Sequence, residues 1–163
     1  MLFDKEYEFK GKHATYCRFL RDEVKLFKTF REIYAASAII GYLFSSKSKS
    51  DSEKVQPASI LPSELAQKRS DLTFIYRLIM LLDPVDGFTI NDYQNRTFRD
   101  DAESEKAPEK IKSNMEIFNS YANGGIEILY DLFKDCKEKK DTVNVLYEFL
   151  YDFYSENNLL ENP

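Results

Sequence analysis

The sequence predicts an all-α fold: a compact single-domain helical bundle of five to seven helices, with a buried helix at its centre and a short extended N-terminal arm. Three observations lead there. Apolar residues recur at spacings of three and four along most of the chain, the period of helices with one face turned inward. Helix breakers are scarce, with five Gly and five Pro in 163 residues, and runs of Val, Ile and Thr that would favour strands are few. Ile33–Phe44 then holds twelve consecutive residues without a charge.

That stretch lies within a helix expected over Phe27–Phe44. One apolar stripe along it contains Phe27, Phe30, Tyr34, Gly41 and Phe44; a second contains Leu26, Ile33, Ala36, Ile40 and Leu43. A helix apolar nearly all round belongs inside a protein. Its uncharged length falls short of the ~20 residues needed to cross a bilayer, so it reads as a core helix.

Composition narrows the class further. A chain of 163 residues suits one domain, and 43% hydrophobic with 31% charged residues marks a globular protein. Thirteen Phe and eleven Tyr without Trp imply helix packing by large rings, with phenol hydroxyls at the rim of the core. A net charge of −5 argues against binding nucleic acid through a general positive field. Cys17 and Cys136 both sit in helical patterns and read as free thiols of a reducing cytosol. The N-terminus lacks a basic region leading into an apolar run. The expectation is a soluble cytoplasmic protein that does not enter a membrane.

Taken in order, Leu2–Gly11 alternates Phe3, Tyr7 and Phe9 with charges, as a short strand or an arm laid across helices would. His13 to about Glu23 has Tyr16, Cys17, Leu20 and Val24 at helical spacing. After Phe44 the text turns to Ser and Lys, and 45–60 is expected to be a mobile Ser/Lys-rich loop. Ser63 is the expected cap of one helix running to Leu82, polar at first and then apolar on every face except at Arg77. Asp83-Pro84 stops it. Thr89 is expected to cap a short helix through Asp100, packing Ile90, Tyr93 and Phe98. The acidic run Asp100–Glu105 reads as a loop. Pro108 opens the next helix, where Ile111, Met115, Phe118 and Ala122 form a stripe. Gly124-Gly125 either ends that helix or lets a second backbone pass closely. Asp141 caps the last helix. Val145, Leu146, Phe149, Leu150 and Phe153 form its core stripe, and Tyr147, Tyr151 and Tyr154 a separate face.

Few residues point to catalysis. A single histidine, His13, cannot build a His-rich zinc site, and two distant cysteines give no metal spacing. It has no upstream Arg, as helical RNases of the HEPN type require, and no Gly-x-Ser-x-Gly elbow or phosphate-binding Gly-rich loop is present. No catalytic residue, metal site or cofactor is therefore expected. The acids at 100–105 suit Mg²⁺ only if a rigid frame holds them. Arg77 reads as a buried charge amid apolar neighbours, either ion-paired or set at a groove that takes a partner.

Two segments carry a resemblance. Phe30-Arg31-Glu32-Ile33-Tyr34-Ala35-Ala36-Ser37-Ala38-Ile39-Ile40-Gly41-Tyr42 precedes a basic polar loop, and Tyr121-Ala122-Asn123-Gly124-Gly125-Ile126-Glu127-Ile128-Leu129 follows later. Together they resemble the small dnd-system-associated proteins encoded beside bacterial DNA phosphorothioation genes. The resemblance implies a phage-defence or DNA-modification setting and names no reaction. The expected function is that of a non-enzymatic accessory or adaptor protein. It would act on a protein partner or a second copy of the chain through Tyr147, Tyr151 and Tyr154, which are amphipathic and inexpensive to order. The alternatives are a nucleic-acid-binding module using Lys47, Lys49, Lys54, Lys68 and Arg69, and a metal-dependent nuclease using the acids at 100–105.

Overall fold

A computed structural model describes residues 2–100 and 108–157. It is mainly helical, with seven α-helices and one two-stranded sheet among the described residues. Leu2 and Phe3 are buried. The expected arm continues as strand β1 (Tyr7–Phe9), paired antiparallel with β2 (Ala58–Ile60) so that Tyr7 faces Ile60 and Phe9 faces Ala58. Gly11, at φ +54°, turns the chain into α1 (Gly11–Arg18). A π turn over Phe19–Glu23 ends this helical stretch.

Helix α2 (Phe30–Leu43) starts where its chemistry dictates. The Thr29 side chain accepts from Glu32 N at 3.2 Å, and Glu32 Oε2 accepts in return from Thr29 N, forming a capping box. It ends with Ser45 at φ +52° and bonds from Ser45 N to Tyr42 O and from Ser46 N to Gly41 O. This is the Schellman arrangement, here built on Ser where Gly is usual.

The long helix α6 (Pro108–Phe133) runs unbroken through Gly124-Gly125, because a second backbone occupies the space a side chain would fill. A Cβ on Gly125 would lie 1.9 Å from the Ser37 carbonyl oxygen, and one on Gly41 would lie 1.9 Å from that of Tyr121. One on Gly124 would meet the Ser46 carbonyl at 2.2 Å. The α2–α6 crossing is thus main chain on main chain. Beside it sits an aromatic cluster in which Phe3 meets Tyr34, Tyr76 and Phe118 edge-on. Tyr7 stacks on Tyr34 at 4.4 Å, and the Tyr34 hydroxyl donates to Asn119 Oδ1 at 2.6 Å.

Several expectations need correction. Part of the segment expected to be a mobile loop, 45–60, is tied down. Ser48 N donates to Ser120 O, Asp51 Oδ2 accepts from Lys12 N, and Ala58 and Ile60 are buried in β2. The helix expected from Ser63 begins instead at Pro62 behind Leu61, whose N–H is capped by Glu64. It breaks at Lys68 into α3 (Pro62–Gln67) and α4 (Arg69–Leu82). Thr89 does cap α5 (Ile90–Gln94), but the helix passes into a π turn over Asn95–Arg99. Within the wider turn Arg96 and Thr97 point inward and Phe98 is 50% exposed, while Ile90, at the start of α5, is 77% exposed. Helix α7 (Lys139–Glu156) is capped at Glu138, with Asp141 accepting from Lys137 N and Glu138 N, so Asp141 serves from inside the first turn. Apart from Asp100, the acidic run at 100–105 lies outside the described residues.

Candidate functional site

Where α4 ends, the Asp83 carboxylate is almost fully buried. Arg96, itself buried, holds Asp83 Oδ2 at 2.8 Å through Nη2 and reaches the Asp83 carbonyl at 3.2 Å through Nη1. The other oxygen, Oδ1, accepts from Lys47 Nζ at 2.8 Å and from the Tyr121 hydroxyl at 2.5 Å. Burial works to raise the Asp83 pKa, but hydrogen bonds from Lys47, Tyr121 and Arg96 outweigh it and hold the carboxyl below its ordinary value. One carboxylate thereby joins α4, the π turn, α6 and the 45–57 strap. A buried ion pair adds little net stability by itself, because desolvation offsets the attraction.

A second polar cluster forms on α6. Glu127 Oε1 receives Ser48 Oγ at 2.6 Å, His13 Nε2 at 2.8 Å and Lys12 Nζ at 2.9 Å. Burial pushes Glu127 up, and the bonds from Ser48, Lys12 and His13 together bring it below the usual carboxylate range. Burial lowers His13 below the ordinary imidazole value of 6.5, against the opposing pull of Glu127. Its Nδ1 is buried without a hydrogen-bond partner, which suits a neutral ring donating from Nε2. Both clusters tie elements together. Among the described residues no group of three or more His, Cys, Asp or Glu side chains is placed to hold a metal ion.

The surface is more informative than these clusters. Helix α4 buries Leu72, Tyr76, Ile79 and Met80. Its opposite side presents Phe74, 68% exposed, with Leu78 at 44%, Leu81 and Leu82. Phe98 of the π turn stands beside them, and Arg69 and Arg77 line the same groove. Helix α7 is likewise half-seated: within it only Thr142 is buried.

The residues singled out from the sequence are dispersed. Arg77 is half-buried, not buried, and its guanidinium lies 5.7 Å from the Phe98 ring centre. Lys47 is engaged with Asp83, and Lys68 lies 3.4 Å from Asp71. Lys49 lines a polar cleft with Ser48 and Asn123, while Lys54 is exposed on the strap. These cations attach to different neighbours instead of one basic patch. Gly124 and Gly125 sit at the helix crossing. Tyr147, 67% exposed, stacks with Tyr151, and Tyr154 lines an apolar groove against α2. Cys17 is buried and Cys136 half-buried, both as free thiols.

Sequence reading missed Asp83, Arg96, Glu127 and Ser48. Asp83 was hidden in a stop signal and Ser48 in a polar run, and the π turn that turns Arg96 inward leaves no periodic mark. No helix among the described residues is long and apolar enough to cross a membrane. Comparison with protein-family models, curated proteins and solved structures finds no match to this chain.

Proposed function

We propose that this chain is a non-enzymatic accessory or adaptor protein that works by protein–protein contact, with the outer face of α4 as its docking face. The observation carrying this reading is a helix whose apolar residues lie on two sides while only one side is covered. Phe74, Leu78, Leu81 and Leu82 lie exposed with Phe98 beside them. Contiguous exposed apolar side chains mark interaction sites, because leaving them in water costs free energy that a partner recovers. Aromatic and Arg side chains, here Phe74, Phe98, Arg69 and Arg77, are types enriched at protein interfaces. The resemblance of 30–42 and 121–129 to the dnd-system-associated proteins supports placing this adaptor in a bacterial phage-defence or DNA-modification setting.

The test replaces Phe74 and Leu78 together by Ser. Both are exposed, so the fold should persist. The double variant should lose either the partner recovered by the wild-type chain from its native host or the wild-type mass in solution. A folded double variant matching wild type in both measurements would overturn the reading.

A further inference from the structure

A polar cleft of about 840 Å³ lies between the N-terminal arm and α6. Glu6, Tyr7, Glu8 and Lys10 line it from the arm, Glu116, Asn119 and Asn123 from α6, and Lys49 and Ser50 from the strap. The sheet has two strands, so β1 meets β2 along one edge only. No residue of β2 lines the cleft, and among the described residues no backbone hydrogen bond reaches Tyr7–Phe9 from outside the ladder. The cleft therefore follows the open edge of β1, where unpaired N–H and C=O groups offer a template for another strand.

The α6 side supplies matching groups. The Tyr34 hydroxyl donates to Asn119 Oδ1 at 2.6 Å, which fixes the amide and leaves Nδ2 a donor without a partner among the described residues. Asn123 is only 5% exposed; its Nδ2 reaches Ser48 O at 3.4 Å, and its Oδ1 is an acceptor likewise without a described partner. A buried polar side chain is normally satisfied, because an unfilled hydrogen-bonding position costs free energy until water or a ligand takes it. The two amides lie one helical turn apart, about 6 Å along the axis. A strand presents N–H and C=O groups to one edge every two residues, about 6.7 Å. One free donor and one free acceptor at this spacing suit an extended backbone, which carries both. Of the charges, Glu8 and Lys10 lie 3.8 Å apart, while Glu6, Glu116 and Lys49 make no ion pair with a described residue. The unpaired balance is thus negative.

We propose that an extended peptide segment of a partner protein docks in this cleft as a third strand, its backbone bonded to the open edge of β1 on one side and to Asn119 Nδ2 and Asn123 Oδ1 on the other. Glu6 to Lys10 covers about 13 Å of extended chain, room for about four residues of the added strand. Main-chain hydrogen bonds supply the affinity in this mode of recognition, and alternate side chains the selectivity. The negative balance favours a basic residue on the peptide. This site goes beyond the α4 reading: it gives an adaptor a second contact, made by backbone hydrogen bonds instead of apolar side chains.

The experiment titrates the full chain with a labelled peptide of about eight residues alternating Thr and Val, with Lys at one end. Its counterpart is N-methylated at each interior residue, which removes the backbone donors of both edges. The unmodified peptide is expected to bind about tenfold tighter or more than the methylated one, and to protect amides within Tyr7–Lys10 from hydrogen exchange. Asn119→Asp keeps an acceptor for the Tyr34 hydroxyl but loses the Nδ2 donor, and should weaken binding about tenfold. Ser113→Asp adds the same charge on an exposed part of α6 outside the cleft and should leave binding unchanged. Ser50→Trp, on the exposed strap, fills the cleft and should weaken binding as well. Equal affinity for both peptides, no binding up to about 1 mM, or equal losses in the two Asp variants would overturn the proposal. Loss on Phe74→Ser with Leu78→Ser, but not on the cleft substitutions, would place the peptide on α4. That result would overturn this proposal while leaving the α4 reading standing.

Discussion

The α2–α6 crossing and the outer face of α4 are both apolar stretches of helix, yet they meet opposite fates. At the crossing, Gly41 and Gly125 let the Tyr121 and Ser37 carbonyl oxygens rest where side chains would be, and Gly124 does the same for that of Ser46. On α4, Phe74, Leu78 and Leu81 are large, and the helix turns them away from a core already filled by Tyr76, Ile79 and Met80. Hydrophobicity alone does not separate the two. Side-chain size does: small residues bring two backbones together, and large ones left over after the core is full form a surface for something else.

The sharpest way to break this comparison is to add one methyl group at the crossing. Gly125→Ala places a Cβ on the Ser37 carbonyl and close to Gly41 N, both backbone atoms that cannot swing aside. It should cost about 3 kcal/mol, as overpacking of a rigid site does, measured by urea unfolding. A variant as stable as wild type would mean that the helices lie further apart than described.

A smaller effect is expected from acid, acting on the cluster that pins the strap to α6. The His13 pKa lies below its unfolded value, so its contribution is complete above about pH 6.5 and declines as pH falls, when the unfolded chain takes up the proton. Glu127, also lowered, adds a loss in the same direction at still lower pH. Stability should therefore drop by about 1 kcal/mol between pH 7 and pH 5. His13→Gln, which keeps a donor for Glu127, should flatten that dependence down to about pH 5.5. An unchanged slope in this variant would assign the loss to other groups.

The smallest effect sharpens the comparison from the other side. Phe74→Ser removes a large apolar side chain that is 68% exposed, so the unfolding free energy of the chain measured at low concentration should change by no more than about 0.5 kcal/mol. A loss of several times that size would show that Phe74 belongs to the core.

Much of this molecule follows from local sequence. Spacings of three and four settle its helical class, Thr89 declares a helix start, and Asp83-Pro84 ends α4, because capping and φ restriction act within a few residues. Alternation at Phe3, Tyr7 and Phe9 marks the arm, while two glycines amid strong apolar stripes allow a helix end or a close approach, and packing selects the approach. Tertiary structure decided the rest. It chose which of the two apolar sides of α4 is covered, turned Arg96 onto Asp83 through a π turn, and fastened a serine-rich strap to Glu127. Each outcome depends on a neighbour brought from far along the chain: 13 residues for Arg96 with Asp83, and 79 for Ser48 with Glu127. Periodicity tells a residue which way to face, but only packing supplies what it faces.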